Sequence, residues 1–359
     1  HKALLGPVQT TSSTGGCDFI LQNVLKSSSN CCIIIHYLNK YAQREDAMKY
    51  NVFIDGAEGT TGLKIHQYFQ KRDDIQVLKI EEAKRKDMEA RLALIRQADI
   101  SFLCLPDAAA KEIAEAAPKD CRILDTSTAH RTDPEWVYGM PELCSTQRDK
   151  IKESNRVAVP GCHATGVILL TRPLLAAGLL PKDYPVAAFS LTGYSGGGKK
   201  MIAQYEAEDR DGMDPAKDPL KSPRQYGISQ MHKHLPEIKA ATGLTQAPAF
   251  MPVVADYYSG MEVTVPVTGI CGGIAAVKKA MKDHYADQVL VSVTDEMDDN
   301  GFIAANRLAG TNRLEIAVSG NDDHILLVAT YDNLGKGASG AAIQNMNIML
   351  GLDEGKGLL

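Results

Sequence analysis

From Tyr50 to Thr126 the chain alternates short apolar runs with amphipathic ones, and this rhythm restricts the fold more than any other feature. Extended runs are expected at Tyr50–Asp55, Ile75–Ile80, Asp99–Leu105 and Arg122–Thr126. Helices are expected at Leu63–Phe69, Asp87–Gln97 and Ala108–Ala116; in the second, Met88, Leu92 and Ile95 recur at helical spacing. Strands separated by helices pair in parallel and are covered on both faces, so this part reads as α/β. After Cys162 the pattern changes. Longer extended runs, Val186–Thr192 and Met261–Val267, stand between Gly- and Pro-rich loops and read as a second, α+β domain. A strand at Ile325–Tyr331 and a helix over about 338–350 close the chain, and this helix is expected to return to the first domain.

Between the first strand and the first helix lies Gly56-Ala57-Glu58-Gly59-Thr60-Thr61-Gly62. Glycines there let the backbone turn tightly and approach a phosphate, while the helix start supplies N–H donors. The spacing is GxxGxxG rather than GxGxxG. Its place between strand and helix nevertheless reads as a dinucleotide loop in a Rossmann-type sheet, with Gly56, Glu58, Gly59, Thr60, Thr61 and Gly62 as cofactor-binding candidates. After the second strand comes Glu81-Glu82-Ala83-Lys84-Arg85-Lys86. Acids there suit a ribose 2′-hydroxyl and basic residues a 2′-phosphate. Arg85 and Lys86 favour NADP over NAD, and a solvated charge run is the competing reading.

A strand ending at Val159-Pro160-Gly161 leads to Cys162 and then an apolar helix from Ala164 to about Leu175. This puts the sulfur at a helix N-terminus, where unpaired N–H groups favour the nucleophilic thiolate. Two histidines and a carboxylate follow in His232-Lys233-His234-Leu235-Pro236-Glu237. Either imidazole suits general acid–base work, with Glu237 to orient it. No third ligand at convincing spacing accompanies His232 and His234, so no metal is expected. Ser195-Gly196-Gly197-Gly198-Lys199 ends an apolar strand and reads as an anion nest, with Ser195, Gly196, Gly197 and Lys199 as substrate contacts; a flexible hairpin tip is the plainer reading. Arg131, in the run Asp125-Thr126-Ser127-Thr128-Ala129-His130-Arg131, stands at the carboxyl end of a strand as a carboxylate clamp.

Composition sets limits on partners. A net charge of −5 with no broad basic character points away from nucleic acid and anionic membranes. No apolar run approaches the roughly 18 residues of a membrane span. The eight cysteines show neither CxxC pairs nor disulfide-like spacing, which suits a reducing, cytoplasmic setting. Residues 1–47 differ from the rest: three cysteines, much Ser and Asn, and one arginine, Arg44. They fit neither a transit peptide nor a signal peptide. With Met48 just ahead of the first strand, they read as a leader or appended segment outside the fold.

Taken together, the chain from about Met48 onward resembles the N-acetyl-γ-glutamyl-phosphate reductase family in its shorter subtype. The resemblance rests on Asp55–Gly62, Leu124–Arg131, Val159–Gly166, His232–Glu237 and the ending Asn333-Leu334-Gly335-Lys336-Gly337-Ala338-Ser339-Gly340. Many members carry an aromatic residue where this chain has His163. That side chain is expected to point away from its neighbour and not to be the base. The resemblance implies NADP as cofactor, with Ser127, Asn333 and Gly335 joining its site. It implies an N-acetylated glutamate derivative and phosphate as small-molecule partners, and a homo-oligomer, dimer or tetramer. It also implies reduction of an acyl phosphate to an aldehyde through a Cys162 thioester, in arginine biosynthesis. On this reading residues 48–160 bind the cofactor, 161–327 form the catalytic and dimerisation domain, and 328–359 return to the first. Aspartate-semialdehyde dehydrogenase, of the same reaction type, and a non-catalytic nucleotide sensor are the alternatives.

Overall fold

A computed structural model of the protein describes residues 49–359, apart from positions 211, 212, 215 and 298. The expected leader, 1–47, lies outside the described residues. The βα rhythm becomes β1 Tyr50–Asp55, α1 Thr60–Phe69, β2 Ile75–Leu78, α2 Met88–Gln97, β3 Ile100–Leu103, α3 Asp107–Ala116 and β4 Ile123–Asp125. The chain continues through β5 Val137–Tyr138, α4 Gln147–Glu153 and β6 Arg156–Ala158. These strands form a six-stranded sheet in the order β2-β1-β3-β4-β6-β5, parallel throughout. Strand order reverses at β1, which has β2 on one side and β3 on the other. The crevice beyond the carboxyl ends of β1 and β3 is therefore the place where open α/β sheets take ligands.

The second half opens with α5 Cys162–Ala176 and continues with β7 Ala187–Gly193, α6 Gly198–Tyr205, β8 Arg224–Gln225, α7 His234–Thr242, β9 Ala249–Ala255 and β10 Met261–Val267. Then come α8 Gly273–Tyr285, β11 Val291–Val293, β12 Leu314–Gly320, β13 Ile325–Tyr331 and α9 Gly340–Met349. The seven strands form a mixed sheet, β11-β12-β13-β10-β7-β9-β8. Val263, Val265, Leu327 and Ala329 point to one side of it and pack against Ala164, Val167, Ile168 and Leu174 of α5. That burial explains why α5 is apolar around most of its circumference.

The final helix does return to the first sheet. Ala341, Ala342, Ile343 and Met346 of α9 share a core with Val52, Ile54, Ile65 and Phe102. The α/β architecture with a Rossmann-type parallel sheet and an α+β second part is therefore the observed one. One local departure precedes α9: Gly335–Ser339 form a π-turn, so the expected helix divides into a π-turn and a shorter α-helix.

Candidate active site

The glycine loop is shaped by close approach. Gly56 has φ +83°, and a Cβ there would collide with the Cys104 carbonyl oxygen at the end of β3. At Gly62 a Cβ would stand 2.6 Å from Gly56 O. Gly56 and Gly62 thus let the turn close, while Gly59, Thr60 and Thr61 line a cavity of about 580 Å³ at the strand-end crevice. Thr60 to Gly62 begin α1, and their N–H groups have no partner within the helix. Glu58 and Arg85 stand outside the cavity lining and pair with each other at 2.7 Å. Lys86 is exposed.

Cys162 is the first residue of α5 and lines the same cavity. Its position is fixed from several sides. Tyr331 OH donates to Cys162 O at 2.6 Å and accepts from Gly166 N–H at 3.1 Å. Gly161 N–H donates to Glu237 Oε1 at 2.7 Å. A helix start alone was expected to favour the thiolate, but burial dominates and pushes the Cys162 thiol up; the Arg131 guanidinium and the His163 N–H pull the other way without reversing it.

Glu237 is buried, and its hydrogen bonds correct the expectation that it orients a histidine. Oε1 accepts from Tyr138 OH and Gly161 N–H, both at 2.7 Å, and Oε2 from Arg131 Nη1 at 3.1 Å. It braces the nucleophile turn instead. Arg131 is likewise no open carboxylate clamp: Nε donates to Val159 O at 2.9 Å and Nη2 to Thr126 O at 3.0 Å, beside the Glu237 bond. These bonds hold its guanidinium against Gly161, at the cavity wall.

Both expected histidines line the cavity. His232 is half-buried, and its Nδ1 accepts the His234 N–H at 3.3 Å. His234 is buried with its Nδ1 unpartnered, and its Nε2 occupies the space a Cβ at Gly161 would fill. Burial holds both imidazoles below their ordinary range, His234 well below. The expectation that His163 points elsewhere is not met. Its ring lies 5.6 Å from that of His234 and 5.8 Å from that of His232, and it lines the cavity. Its nitrogens are both engaged, Nδ1 with Ser190 Oγ and Nε2 with Tyr226 OH, each at 2.6 Å. Burial drives it down to about 3, so it is a neutral spacer between hydroxyls. Nothing in the spacing of Tyr138, Ser190 and Tyr226 marks them as part of this site; tertiary folding alone brings them in.

The remaining candidates divide. Ser195, Gly196 and Gly197 line the cavity, and the segment is a 3₁₀ turn leading into α6 rather than a loose hairpin tip. Lys199 is exposed and stands outside the lining, where its charge acts on Glu58. Ser127 lines the cavity, but its hydroxyl donates to Asp125 Oδ2 at 2.7 Å. Asn333 also lines it, and its amide donates to Ser195 Oγ at 2.9 Å. Gly335 does not: it packs against Thr311 O, while Gly337 and Ala338 reach the cavity. Among the described residues no group of three or more His, Cys, Asp or Glu could hold a metal ion, and no helix is long and apolar enough to cross a membrane.

A dinucleotide-type loop thus shares one cavity with a helix-start cysteine and two imidazoles, and the chain falls in the semialdehyde dehydrogenase class. Residues 51–154 match the family "Semialdehyde dehydrogenase, NAD binding domain" and residues 162–333 match "Semialdehyde dehydrogenase, dimerisation domain". Aspartate semialdehyde dehydrogenase II from Vibrio cholerae has a similar fold, with TM-score 0.64 and 16% identity over 84% of this chain and 99% of that one. The enzyme with NADP from Candida albicans gives 0.57 and 13% over 84% and 98%. Much nearer in sequence are the N-acetyl-gamma-glutamyl-phosphate reductases of Brucella anthropi, 46% identical over 85% of this chain and 99% of that protein, and Brucella ovis, 45% over 85% and 100%. The chain belongs to the N-acetyl-gamma-glutamyl-phosphate reductase family.

Proposed function

We propose that the protein reduces N-acetyl-glutamyl 5-phosphate to N-acetyl-glutamate 5-semialdehyde with release of phosphate, using NADP, as a step of arginine biosynthesis. The observation that carries this is the cavity itself, where Cys162, His232 and His234 share one wall system with the glycine loop. The loop fits a dinucleotide: its turn is closed by Gly56 and Gly62, and the start of α1 offers N–H groups to a pyrophosphate. Gly59, Thr60, Thr61, Ser127 and Asn333 would hold it, with Arg85 and Lys86 toward a 2′-phosphate. The chemistry a bound nicotinamide supplies is hydride transfer to an acyl carbon.

The protein's own groups do the rest. The resting Cys162 is a thiol, so an imidazole of the His232–His234 pair takes its proton as the sulfur approaches the acyl phosphate. The S–C bond forms, the C–O bond to phosphate breaks, and a Cys162 thioester remains. N–H groups at the start of α5 face the developing oxyanion. Once the thioester carbon is reduced, the imidazolium gives its proton to the oxyanion; when the aldehyde leaves, the imidazole takes that hydroxyl proton back, the C–S bond breaks and the proton returns to the Cys162 sulfur. Arg131 and Glu237 hold the Gly161–Cys162 turn, and the Ser195–Gly197 turn lines the part of the cavity that would take the substrate's phosphate or carboxylate.

On this reading residues 48–160, 161–327 and 328–359 are the cofactor, catalytic and returning segments of a cytoplasmic homo-oligomer. Phe189 of β7, Leu326 of β13 and the half-buried Met251 of β9 share one face of the mixed sheet, which suits pairing with a second copy. The test is phosphate-dependent oxidation of N-acetyl-glutamate semialdehyde with NADP and NAD in parallel. Turnover with NADP supports the reading; activity with aspartate semialdehyde alone overturns it, and cofactor binding without turnover favours a sensor. His232→Asn and His234→Asn, assayed separately, assign the proton carrier.

A further inference from the structure

Lys336 carries a charge where a charge is costly. It is 2% exposed and lies in the π-turn Gly335–Ser339. Its Nζ donates to Glu142 Oε1 at 2.8 Å and to Gln344 Oε1 at 2.5 Å. Glu142 is 1% exposed and also accepts from Gln344 Nε2 at 2.8 Å. Gln344 reaches on to Glu354, at 2.7 Å, and Glu354 in turn pairs with Arg148. Burial pushes the Glu142 carboxyl up, and Lys336 together with the Gln344 amide and a backbone N–H more than reverses this, leaving it below its usual range.

None of these side chains lines the catalytic cavity. Stability is a weak reason for such a pair, since packed apolar side chains of similar volume often serve as well. A π-turn, however, is an uncommon backbone form that recurs at functional sites, and something must hold it. The next residue shows what the turn presents. At Gly337 a Cβ would stand 3.1 Å from Cys162 Cβ and 3.2 Å from Asp332 O. The turn therefore lays bare backbone against the cysteine, and Lys336, one residue earlier, ties it to Glu142 and Gln344.

We propose that the buried Lys336–Glu142 pair is a positioning device for Cys162: it locks the π-turn that seats the Gly337 backbone against the Cα and Cβ of the cysteine and covers the residue on that side. Neither side chain touches reacting atoms. The kinetic arm of the test rests on the reading of Cys162 as nucleophile; the alkylation arm does not.

The experiment uses the full chain and the double variant Lys336→Met/Glu142→Gln, which removes both charges at similar volume. Iodoacetamide alkylation of Cys162, resolved by peptide mass spectrometry, is followed against pH without substrate or cofactor. The melting temperature, kcat and KM are measured in parallel. With the turn unlocked, water reaches the thiol and the alkylation midpoint falls by on the order of one pH unit. kcat falls about tenfold or more while KM for the acyl phosphate stays within about threefold. A folded double variant that keeps the parental midpoint overturns the proposal, whether or not kcat changes. Should the double variant not fold, Gln344→Leu, which leaves the ion pair standing, carries the test: a smaller downward shift supports the proposal and an unchanged midpoint overturns it. If Cys162→Ser proves fully active, the nucleophile reading falls, and the alkylation midpoint still answers for the pair.

Discussion

Adding one methyl group at Gly161 should disable the site. This glycine is not needed for its conformation: φ is −79°, where alanine is at ease. In an open setting Gly161→Ala would gain about 0.4–1 kcal/mol by stiffening the unfolded chain. The space is what forbids it. A Cβ would collide with His234 Nε2 and stand 2.5 Å from Arg131 Nη1 and 2.6 Å from His234 Cδ2. Ordinary carbon contacts lie near 3.5 Å, so the imidazole must retreat by about 1 Å. Neither neighbour yields easily. The His234 ring is hemmed in by the His232 ring at 4.8 Å and the His163 ring at 5.6 Å. Arg131 is held by Val159, Thr126 and Glu237. Overpacking of this kind costs about 1–3 kcal/mol, a fall in Tm of roughly 2–6 °C. A displacement of about 1 Å at a catalytic group costs on the order of 10²-fold in kcat. The assay pairs a thermal melt with phosphate-dependent NADP reduction. A Gly161→Ala protein with kcat within about threefold of the parent and an unchanged or higher Tm refutes the reasoning.

Cys162→Ser should keep the fold and lose at least about 10³-fold in kcat, because serine forms no comparable nucleophile here; retained reductase activity removes covalent catalysis. Acid should destabilise the protein through its neutral histidines. Folded values for His163, His232 and His234 lie below the ordinary 6.5, so the unfolded chain binds more protons as pH drops. The stability they permit is complete above about 6.5 and is lost as pH falls, for His163 down to about 3, by up to about 1.4 kcal/mol per pH unit for each group. Urea midpoints at pH 7 and pH 5 measure this; His163→Phe should flatten the difference, and equal midpoints in the parent contradict it. Arg85→Ala should raise KM for NADPH by about tenfold and leave KM for NADH unchanged; an equal effect on both coenzymes removes Arg85 from the 2′-phosphate.

Much of the architecture was legible because it is periodic. Tyr50–Asp55, Met261–Val267 and Ile325–Tyr331 are strands to the residue, and the helices of the first sheet differ from expectation by no more than three residues at either end. Residues that meet through tertiary folding were less legible. Glu237 sits three residues after His234 and five after His232, and sequence nearness paired them; the carboxylate instead reaches Tyr138, 99 residues away, and Gly161, 76 away. Arg131 looked open to a substrate because its bonds are to carbonyls, Val159 O and Thr126 O, which no side-chain pattern records. The family resemblance put Asn333 and Gly335 at the cofactor; Asn333 lines the cavity, but within the π-turn the glycine that reaches it is Gly337. Irregular backbone of that kind has no periodic signature.

The state of Cys162 shows how two correct principles can compete. A helix start favours the thiolate, but that influence fades within the first turn and acts here on a half-buried cysteine at the cavity wall. Desolvation is the larger influence, with Arg131 and the His163 N–H only tempering it. A protonated resting thiol is unreactive toward adventitious electrophiles at neutral pH, and it cannot attack without giving up its proton. The helix start therefore cannot be the activating device by itself; it stabilises charge once charge has formed. On the proposed reading the proton passes to an imidazole in the cavity, His232 or His234, since His163 has both nitrogens engaged. Burial of the sulfur and retention of the imidazole pair are thus one requirement, and loosening the first should make the thiol more reactive to alkylation while making the enzyme slower.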